Sequence, residues 1–117
     1  MKFTTSLKKN HEFKRLYNKG KSAASKHAVV YFRRNGRTTG NRLGITVSTK
    51  LGGAVQRNRI RRRLKEIYRL NESRFKSGYD IVIVARMASR TVSFKELEVS
   101  VVSLFDKLQL TLTESGQ

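Results

Sequence analysis

The sequence predicts an α+β domain in which helices pack over one small central sheet, in the element order α-β-β-α-β-α. Three observations predict this class. Segments with helical spacing of apolar residues alternate with short β-branched segments. The run Ile81 to Ala85 is continuously apolar, as in a strand covered on both faces. The 117 residues suit one domain rather than two, so we expect a single domain over residues 1–117. The order of the tail is left open from about residue 111.

The first helix is predicted from about His11 to Lys19, with Asn10 as its N-cap and Gly20 as its C-terminal stop. Apolar residues recur within it at i, i+3 and i+4, which places them on one face: Phe13, Leu16 and Tyr17.

Two strands follow the first helix. The β-branched and aromatic run Ala28 to Phe32 predicts one, and Leu43 to Ser48 predicts the next. The segment Asn35 to Asn41 contains two glycines and reads as the turn between them, so we expect the two strands to form a hairpin. This interpretation leaves room for one extra short strand near residues 21–24.

The remaining helices carry clear boundary signals. A basic helix is predicted from about Ala54 to Asn71. In the last helix, Ser93 and Glu96 have the spacing of a capping box, and Val92 and Leu97 that of a hydrophobic staple. A broad apolar face follows: Phe94, Leu97, Val101, Leu104, Phe105 and Leu108.

Composition points to a polyanionic partner. Lysine and arginine total 26 against 8 acidic residues, a net charge of +18, and the pI is near 11.2. Such an excess repels itself in a compact domain and usually reflects binding to a polyanion. The chain has no cysteine, no secretory signal pattern and no apolar run near the roughly eighteen residues of a membrane span. We therefore expect a cytoplasmic protein with no membrane partner.

The basic helix separates its apolar and cationic residues by angle. At about 100° per residue, Ile60, Leu64 and Ile67 form one narrow stripe. A polar and cationic row lies opposite, at about 140–200°: Asn58, Arg62, Lys65 and Arg69. Arg59 and Arg61 flank this row. An ordinary solvated helix face would mix charge signs, whereas this helix has a single acidic residue, so we favour a phosphate-binding surface.

Two further features of the sequence admit more than one interpretation. Gly52 and Gly53 precede the helix N-terminus, where free N–H groups favour an anion, although a Gly-Gly turn alone is often just a tight connection. Phe13, Tyr17 and Tyr31 are candidates for stacking unpaired RNA bases. The alternative is that Phe13 and Tyr17 simply dock the first helix onto the sheet.

No catalytic or metal-binding constellation is predicted. Acidic residues are sparse, and His11 beside Glu12 diverges from it on a helix. The chain therefore reads as a binding protein, and any reaction would be carried out by another component.

The segment STKLGGAVQRNRIRRRLKEIYR resembles the signature region of the bacterial ribonuclease P protein subunit. The family pattern of a Lys-hydrophobic-Gly-x-Ala-Val segment before an Arg-Asn-Arg core begins here at Lys50, and the core is Arg57, Asn58 and Arg59. LKKNHEFKRLYNKG resembles the family's opening helix and YDIVIVAR its last strand. The likeness covers about residues 6 to 107, with Gly53 standing where the family often has Asn.

The resemblance implies the small basic subunit of an endoribonuclease whose RNA is the catalyst. That ribonucleoprotein removes the 5′ leader of precursor tRNA, using Mg²⁺ bound chiefly by the RNA. It also implies a left-handed β-α-β crossover like that of a ribosomal-protein domain. The residues implied to contact the catalytic RNA are Arg57, Asn58, Arg59, Arg61, Arg62, Lys65 and Arg69. Those implied to contact the leader, in a cleft separate from the basic helix, are Phe13, Tyr17, Tyr31 and Lys50.

Two other functions share some of these features. A ribosomal or rRNA-binding structural protein would also be small, basic and α+β, but would not need an aromatic leader cleft. A DNA-binding module would need a base-reading recognition helix. The alternation of helices and strands and the lack of a dimer seam argue against that module, so no DNA partner is expected.

Overall fold

The computed structural model describes residues 1–36 and 40–112, and within them three α-helices pack on a five-stranded sheet. The strands are β1 Thr4–Ser6, β2 Lys21–Ala24, β3 Ala28–Arg34, β4 Asn41–Thr46 and β5 Tyr79–Ala85. The helices are α1 Asn10–Lys19, α2 Ala54–Asn71 and α3 Phe94–Lys107. Short 3₁₀ turns lie at Thr49–Leu51, Glu72–Arg74 and Met87–Arg90. The predicted α+β class is confirmed, including the extra strand at residues 21–24.

The predicted hairpin between β3 and β4 is wrong, because β5 lies between them. The strand order is β1-β4-β5-β3-β2, with β5 antiparallel to β3 and parallel to β4. As the most apolar strand, β5 is buried on both faces in the centre, where both of its edges find hydrogen-bond partners. Helix α2 makes the crossover from β4 to β5; the left hand of that crossover stays a prediction of the resemblance.

The two faces of the sheet carry different cores. Ile81 and Ile83 point to the face covered by α2 and α3, and Val82 points to the face covered by α1. On β3, Phe32 and Tyr31 divide in the same way. This alternation follows from the two-residue period of a strand.

The helix boundaries are close to those predicted. Helix α2 has the predicted bounds, and α3 begins after Ser93, whose Oγ accepts the Glu96 N–H at 3.1 Å. In α1 the N-cap is Lys9, one residue before the predicted Asn10. The Glu12 carboxylate accepts the Lys9 N–H at 3.3 Å, which is the contact that the N3 residue makes in a capping box.

The N-terminal segment forms a strand that was not predicted, because three residues carry too little pattern. Glu72, which is 4% exposed, accepts the backbone N–H groups of Lys2 at 2.7 Å and Phe3 at 3.2 Å. The Thr4 hydroxyl lies 2.8 Å from that of the buried Tyr68. These contacts hold β1 parallel to β4, where it forms one wall of a groove described below.

The end of the described chain is also attached to the fold. Thr111 forms a bridge with Phe75, and the Leu112 N–H donates to the Arg74 carbonyl at 2.7 Å. The remainder of the predicted tail, residues 113–117, lies outside the described residues. So do residues 37–39 of the predicted turn.

Candidate nucleic-acid interface

The start of α2 is fixed by a glycine turn. Gly52 has φ 132°, a conformation that side chains disfavour, and its carbonyl accepts the Arg57 Nε–H at 3.1 Å. Gly53 caps the helix without a side-chain acceptor. Val55 is 85% exposed in the first turn. An arginine of α2 thus contacts the glycine turn that precedes the same helix.

Helix α2 has the predicted inward and outward faces. Ile60, Leu64 and Ile67 are at most 2% exposed. The exposed polar residues of the opposite side are Asn58, Arg59, Arg62, Lys65 and Arg69. The orientation is therefore as predicted, while the role of these residues in RNA binding stays a prediction.

The polar and cationic side chains of this row differ in whether they already have a partner within the protein. Glu66 accepts both Arg69 Nε–H and Nη2–H at 2.7 Å, and this pairing lowers the pKa of Glu66. Arg61 donates to Asn58 Oδ1 at 2.8 Å. Among the described residues, no acidic side chain pairs with Arg62 or Lys65. These two cations are therefore the part of the row most available to a phosphate.

Arg63 is the arginine of α2 that serves packing. Its guanidinium donates to the Val92 carbonyl at 3.1 Å and lies 5.9 Å from the centre of the Phe94 ring. It ties α2 to the start of α3. Burial, together with the nearby charge of Arg59, lowers the pKa of Arg63.

The three predicted aromatic residues lie together on the α1 face of the sheet. The Tyr17 ring meets the Tyr31 ring edge-on with centres 5.1 Å apart, and the Phe13 ring is 6.5 Å from Tyr17. Tyr17 is 39% exposed, while Phe13 and Tyr31 are half-buried. The group therefore docks α1, as one interpretation predicted, and still presents an aromatic ring to solvent, as the other requires.

Phe13 rests directly against the backbone of β4. A Cβ built on Gly44 would lie 2.5 Å from the Phe13 ring, far inside van der Waals contact. Glycine at this strand position therefore sets the depth of the aromatic group.

Two open grooves of about 420 Å³ and 430 Å³ adjoin this aromatic group. The first runs between β1, β4 and α2, and the second between α1 and the end of β4. Phe13, Ile45 and Arg61 line both of them, and Lys65 lines the first. The cationic helix and the aromatic cleft, which the resemblance separates, therefore form one continuous surface.

Arg42 supports this surface and was not predicted. Its guanidinium grips Asp80 through two hydrogen bonds, of 2.8 Å and 2.6 Å, and also pairs with Glu12. Burial raises the pKa of Glu12, but the Lys9 N–H and the Arg42 charge outweigh it and hold that pKa below 4.5. Glu12 therefore fixes α1 to the sheet, and no short-range sequence pattern signals a contact across 30 residues.

Lys50 stands apart from the other predicted leader residues. It is exposed on the 3₁₀ turn after β4, where its N–H donates to Ser48 Oγ at 3.2 Å. It lines neither groove. Its position between β4 and α2 places it beside the start of the basic helix rather than among the aromatic rings.

The described residues offer neither a metal cluster nor a membrane span. Within residues 1–36 and 40–112, no group of three histidine, aspartate or glutamate side chains could hold a metal ion. No helix in this part of the chain is long and apolar enough to cross a membrane.

The fold and site define a small basic α+β protein that presents cationic and aromatic side chains on one continuous surface, the combination found in proteins that bind RNA. The Ribonuclease P family model matches residues 1–109. The ribonuclease P protein component of Clostridioides difficile is 42% identical over 110 residues, covering 93% of this chain and 96% of the relative. The ribonuclease P protein component of Alkaliphilus oremlandii is 44% identical over 110 residues, covering 94% of this chain and 96% of the relative.

Solved structures agree with the sequence relatives. The Staphylococcus aureus RNase P protein superposes with a TM-score of 0.83 at 33% identity, covering 94% of this chain and 98% of that one. The Thermotoga maritima RNase P protein superposes with a TM-score of 0.78 at 32% identity, covering 84% of this chain and 92% of that one. The chain belongs to the ribonuclease P protein component family. It is thus a subunit of a tRNA-processing ribonucleoprotein and a partner of the ribonuclease P RNA.

Proposed function

We propose that this subunit binds the catalytic RNA through the outward face of α2 and the 5′ leader of precursor tRNA in the adjoining aromatic grooves. In this role it assists RNA-catalysed removal of the leader, which yields the mature tRNA 5′ end in the cytoplasm. The chain supplies no catalytic residue of its own.

The observation that carries the proposal is the lining shared by the two grooves. Arg61 stands on the helix assigned to the catalytic RNA and also lines both grooves beside Phe13. A leader lying there would have aromatic faces on one side and cations on the other, the combination that binds single strands without reading their sequence. The catalytic RNA on α2 would be held next to it, because the cations neutralise phosphates that otherwise repel each other.

The acidic residues nearest these grooves support a binding role rather than catalysis. Glu12 and Asp80 are both engaged by Arg42, so neither carboxylate is free for acid–base chemistry. The Mg²⁺ ions of the reaction would be bound chiefly by the RNA, and the described residues include no cluster of three histidine, aspartate or glutamate side chains. The Mg²⁺ ions would supply the chemistry that activates water and stabilises the leaving oxygen.

Reconstitution tests the proposal. The protein is mixed with ribonuclease P RNA at low Mg²⁺, and cleavage of precursor tRNA is measured with and without it. We expect the protein to stimulate cleavage at the mature 5′ end. An rRNA-binding structural protein would give no stimulation, and that result would reject the proposed function.

A further inference from the structure

A second basic groove lies at the opposite end of the sheet. It has a volume of about 390 Å³ and is bordered by the end of β3, the start of β5 and the end of α3. Its cationic residues come from three separate parts of the chain: Lys19, Lys21, Arg33, Arg34 and Lys76. Among residues 1–36 and 40–112, no acidic residue lines it. The fold therefore gathers positive charge here that no local run of the sequence announces.

This groove is separate from the surface assigned above. Thr46, at the end of β4 that leads toward the Arg57 turn, pairs with Val84 near the end of β5. The groove lies instead at Tyr79, the first residue of β5. Seven extended residues place the two ends of β5 about 20 Å apart. The first aromatic groove reaches Leu43, which pairs with Ile81 near the start of β5, but neither aromatic groove shares a lining residue with this basic groove. The groove also uses Phe32, which points to the opposite face of the sheet from Tyr31.

The groove contains an ordered aromatic element. The Tyr79 ring meets the Phe32 ring edge-on with centres 5.5 Å apart, and the Arg34 guanidinium lies 5.7 Å from the centre of the Tyr79 ring. Both rings are half-buried and pack against the core. A planar guanidinium held at an aromatic ring offers a base a stacking surface, with cations around it.

The lysines of the groove form no ion pair with the described residues. No acidic side chain in this part of the chain lies within ion-pair distance of Lys19, Lys21 or Lys76. Arg33 lies across from Asp80 of β5, on the Tyr31 face of the sheet. The Lys76 backbone is fixed, because its N–H donates to the Leu110 carbonyl and its carbonyl accepts from Asn41. Its side chain is not used by those bonds. Like charges held together without partners disfavour the free protein, which favours an anionic occupant.

We propose that this groove, which we call the β5-start groove, binds a single-stranded segment of RNA. Phosphates would pair with the surrounding cations, and one base would stack at the Tyr79 and Arg34 planes. The segment belongs either to the catalytic RNA or to the precursor tRNA, which share this chemistry. The proposal goes beyond the proposed function, because neither the α2 face nor the aromatic grooves use these residues.

Crosslinking locates the occupant. The chain has no cysteine, so Gln109→Cys, at an exposed residue that lines the groove, can carry the only photo-crosslinker. Val99→Cys, at a position 59% exposed on α3 and outside the groove, is the matched control. Each protein is assembled with both RNAs, of which one is labelled at a time. We expect RNA crosslinks from Gln109→Cys well above those from Val99→Cys, and the labelled strand identifies the source.

Charge removal tests the same groove without a probe. The double variant Lys21→Gln/Lys76→Gln should lower the slope of log affinity against log salt by about 1.4 to 1.8, at 0.7 to 0.9 for each lost phosphate contact. The control Lys26→Gln/Lys95→Gln removes the same charge at exposed positions outside the groove and should leave the slope unchanged.

An unchanged slope for the groove variant would overturn the proposal, as would equal crosslinking from the two cysteines. Crosslinks to a second copy of the chain instead of RNA would overturn it too. Cleavage of precursor tRNA by the unlabelled wild-type particle is measured in parallel. If the protein stimulates cleavage while the groove tests fail, only the groove proposal falls.

Discussion

The Tyr17 hydroxyl lies 2.8 Å from the Thr46 hydroxyl and joins α1 to the last residue of β4. The same ring meets the edge of the Tyr31 ring 5.1 Å away. An exposed aromatic side chain is therefore held in one orientation from both of its ends. A ring fixed in this way loses little conformational freedom when a base stacks on it.

Tyr17→Ala should weaken binding of leader-bearing precursor by about 1–3 kcal/mol, because it removes a stacking surface. Binding of mature tRNA should change less. Tyr17→Phe keeps the ring and should retain most of the affinity, while losing about 1 kcal/mol of stability with the hydroxyl contact. Dissociation constants of the reconstituted particle for both RNAs check this. If Tyr17→Phe and Tyr17→Ala lost the same affinity for the leader-bearing precursor, the effect would come from the hydroxyl and not from the ring.

The free cations of α2 should control the salt dependence of RNA affinity. Arg62→Gln/Lys65→Gln should lower the slope of log affinity against log salt by about 1.8, at 0.9 for each phosphate contact. Arg69→Gln should change it less than a single substitution of Arg62, because Glu66 already neutralises Arg69. Filter binding at several salt concentrations measures the slopes. The control Lys95→Gln/Lys107→Gln removes two charges away from the outward face of α2. An equal decrease of the slope in this control would contradict a local phosphate contact at Arg62 and Lys65.

Gly44→Ala should displace the Phe13 ring, because the added Cβ would lie 2.5 Å from it. We expect a loss of about 1–3 kcal/mol in the free energy of unfolding, typical of overpacking, and weaker leader binding. Gly53→Ser is the matched control, because its Cβ meets nothing within 4 Å and serine is a good N-cap. Urea unfolding of both variants checks the prediction. If Gly44→Ala had the free energy of unfolding of the wild type, the Phe13 ring would be able to move without loss of stability, against the prediction.

Acid should weaken the attachment of the N-terminal segment. Burial raises the pKa of Glu72, but hydrogen bonds from Thr4, Lys2 and Phe3 outweigh it, so the pKa lies below its ordinary 4.5. A depressed pKa stabilises the fold above the unfolded value, and that stability is lost as pH falls through the folded pKa.

Glu72→Gln should therefore cost about 2 kcal/mol at pH 7, where wild type keeps charged hydrogen bonds. The gap to wild type should narrow as the pH falls below 4.5. Unfolding free energies between pH 3 and pH 7 provide the measurement. A gap that stays constant with pH would show that the Glu72 charge does not contribute.

Local periodicity predicted the elements well and their pairing poorly. The bounds of α2 follow from Ile60, Leu64 and Ile67, which recur at helical spacing over a long segment. The position of β5 between β3 and β4 does not follow from such local spacing. Sequence proximity favours a hairpin of β3 and β4, and only the burial of Ile81 to Ile83 on both faces indicates a central strand. Strand order depends on contacts between distant residues, which no window of the sequence contains.

The candidate site shows the same division. The outward row of α2 was predicted because helix geometry converts spacing directly into direction. The contact of Phe13 with Gly44 and the grip of Arg42 on Glu12 and Asp80 were missed, since each joins residues about 30 or more apart. The five cations of the β5-start groove come from three parts of the chain between residues 19 and 76, and only the fold brings these parts together.

The engagement of Glu12 and Asp80 by one arginine has a consequence for the speed of assembly. Arg42 neutralises one of the two carboxylates, and the single negative charge that remains is small against the net charge of +18. Oppositely charged molecules drawn together by such a field meet faster than diffusion alone allows. The subunit should therefore find its RNA by long-range attraction, and added salt should slow the encounter itself as well as weaken the finished complex.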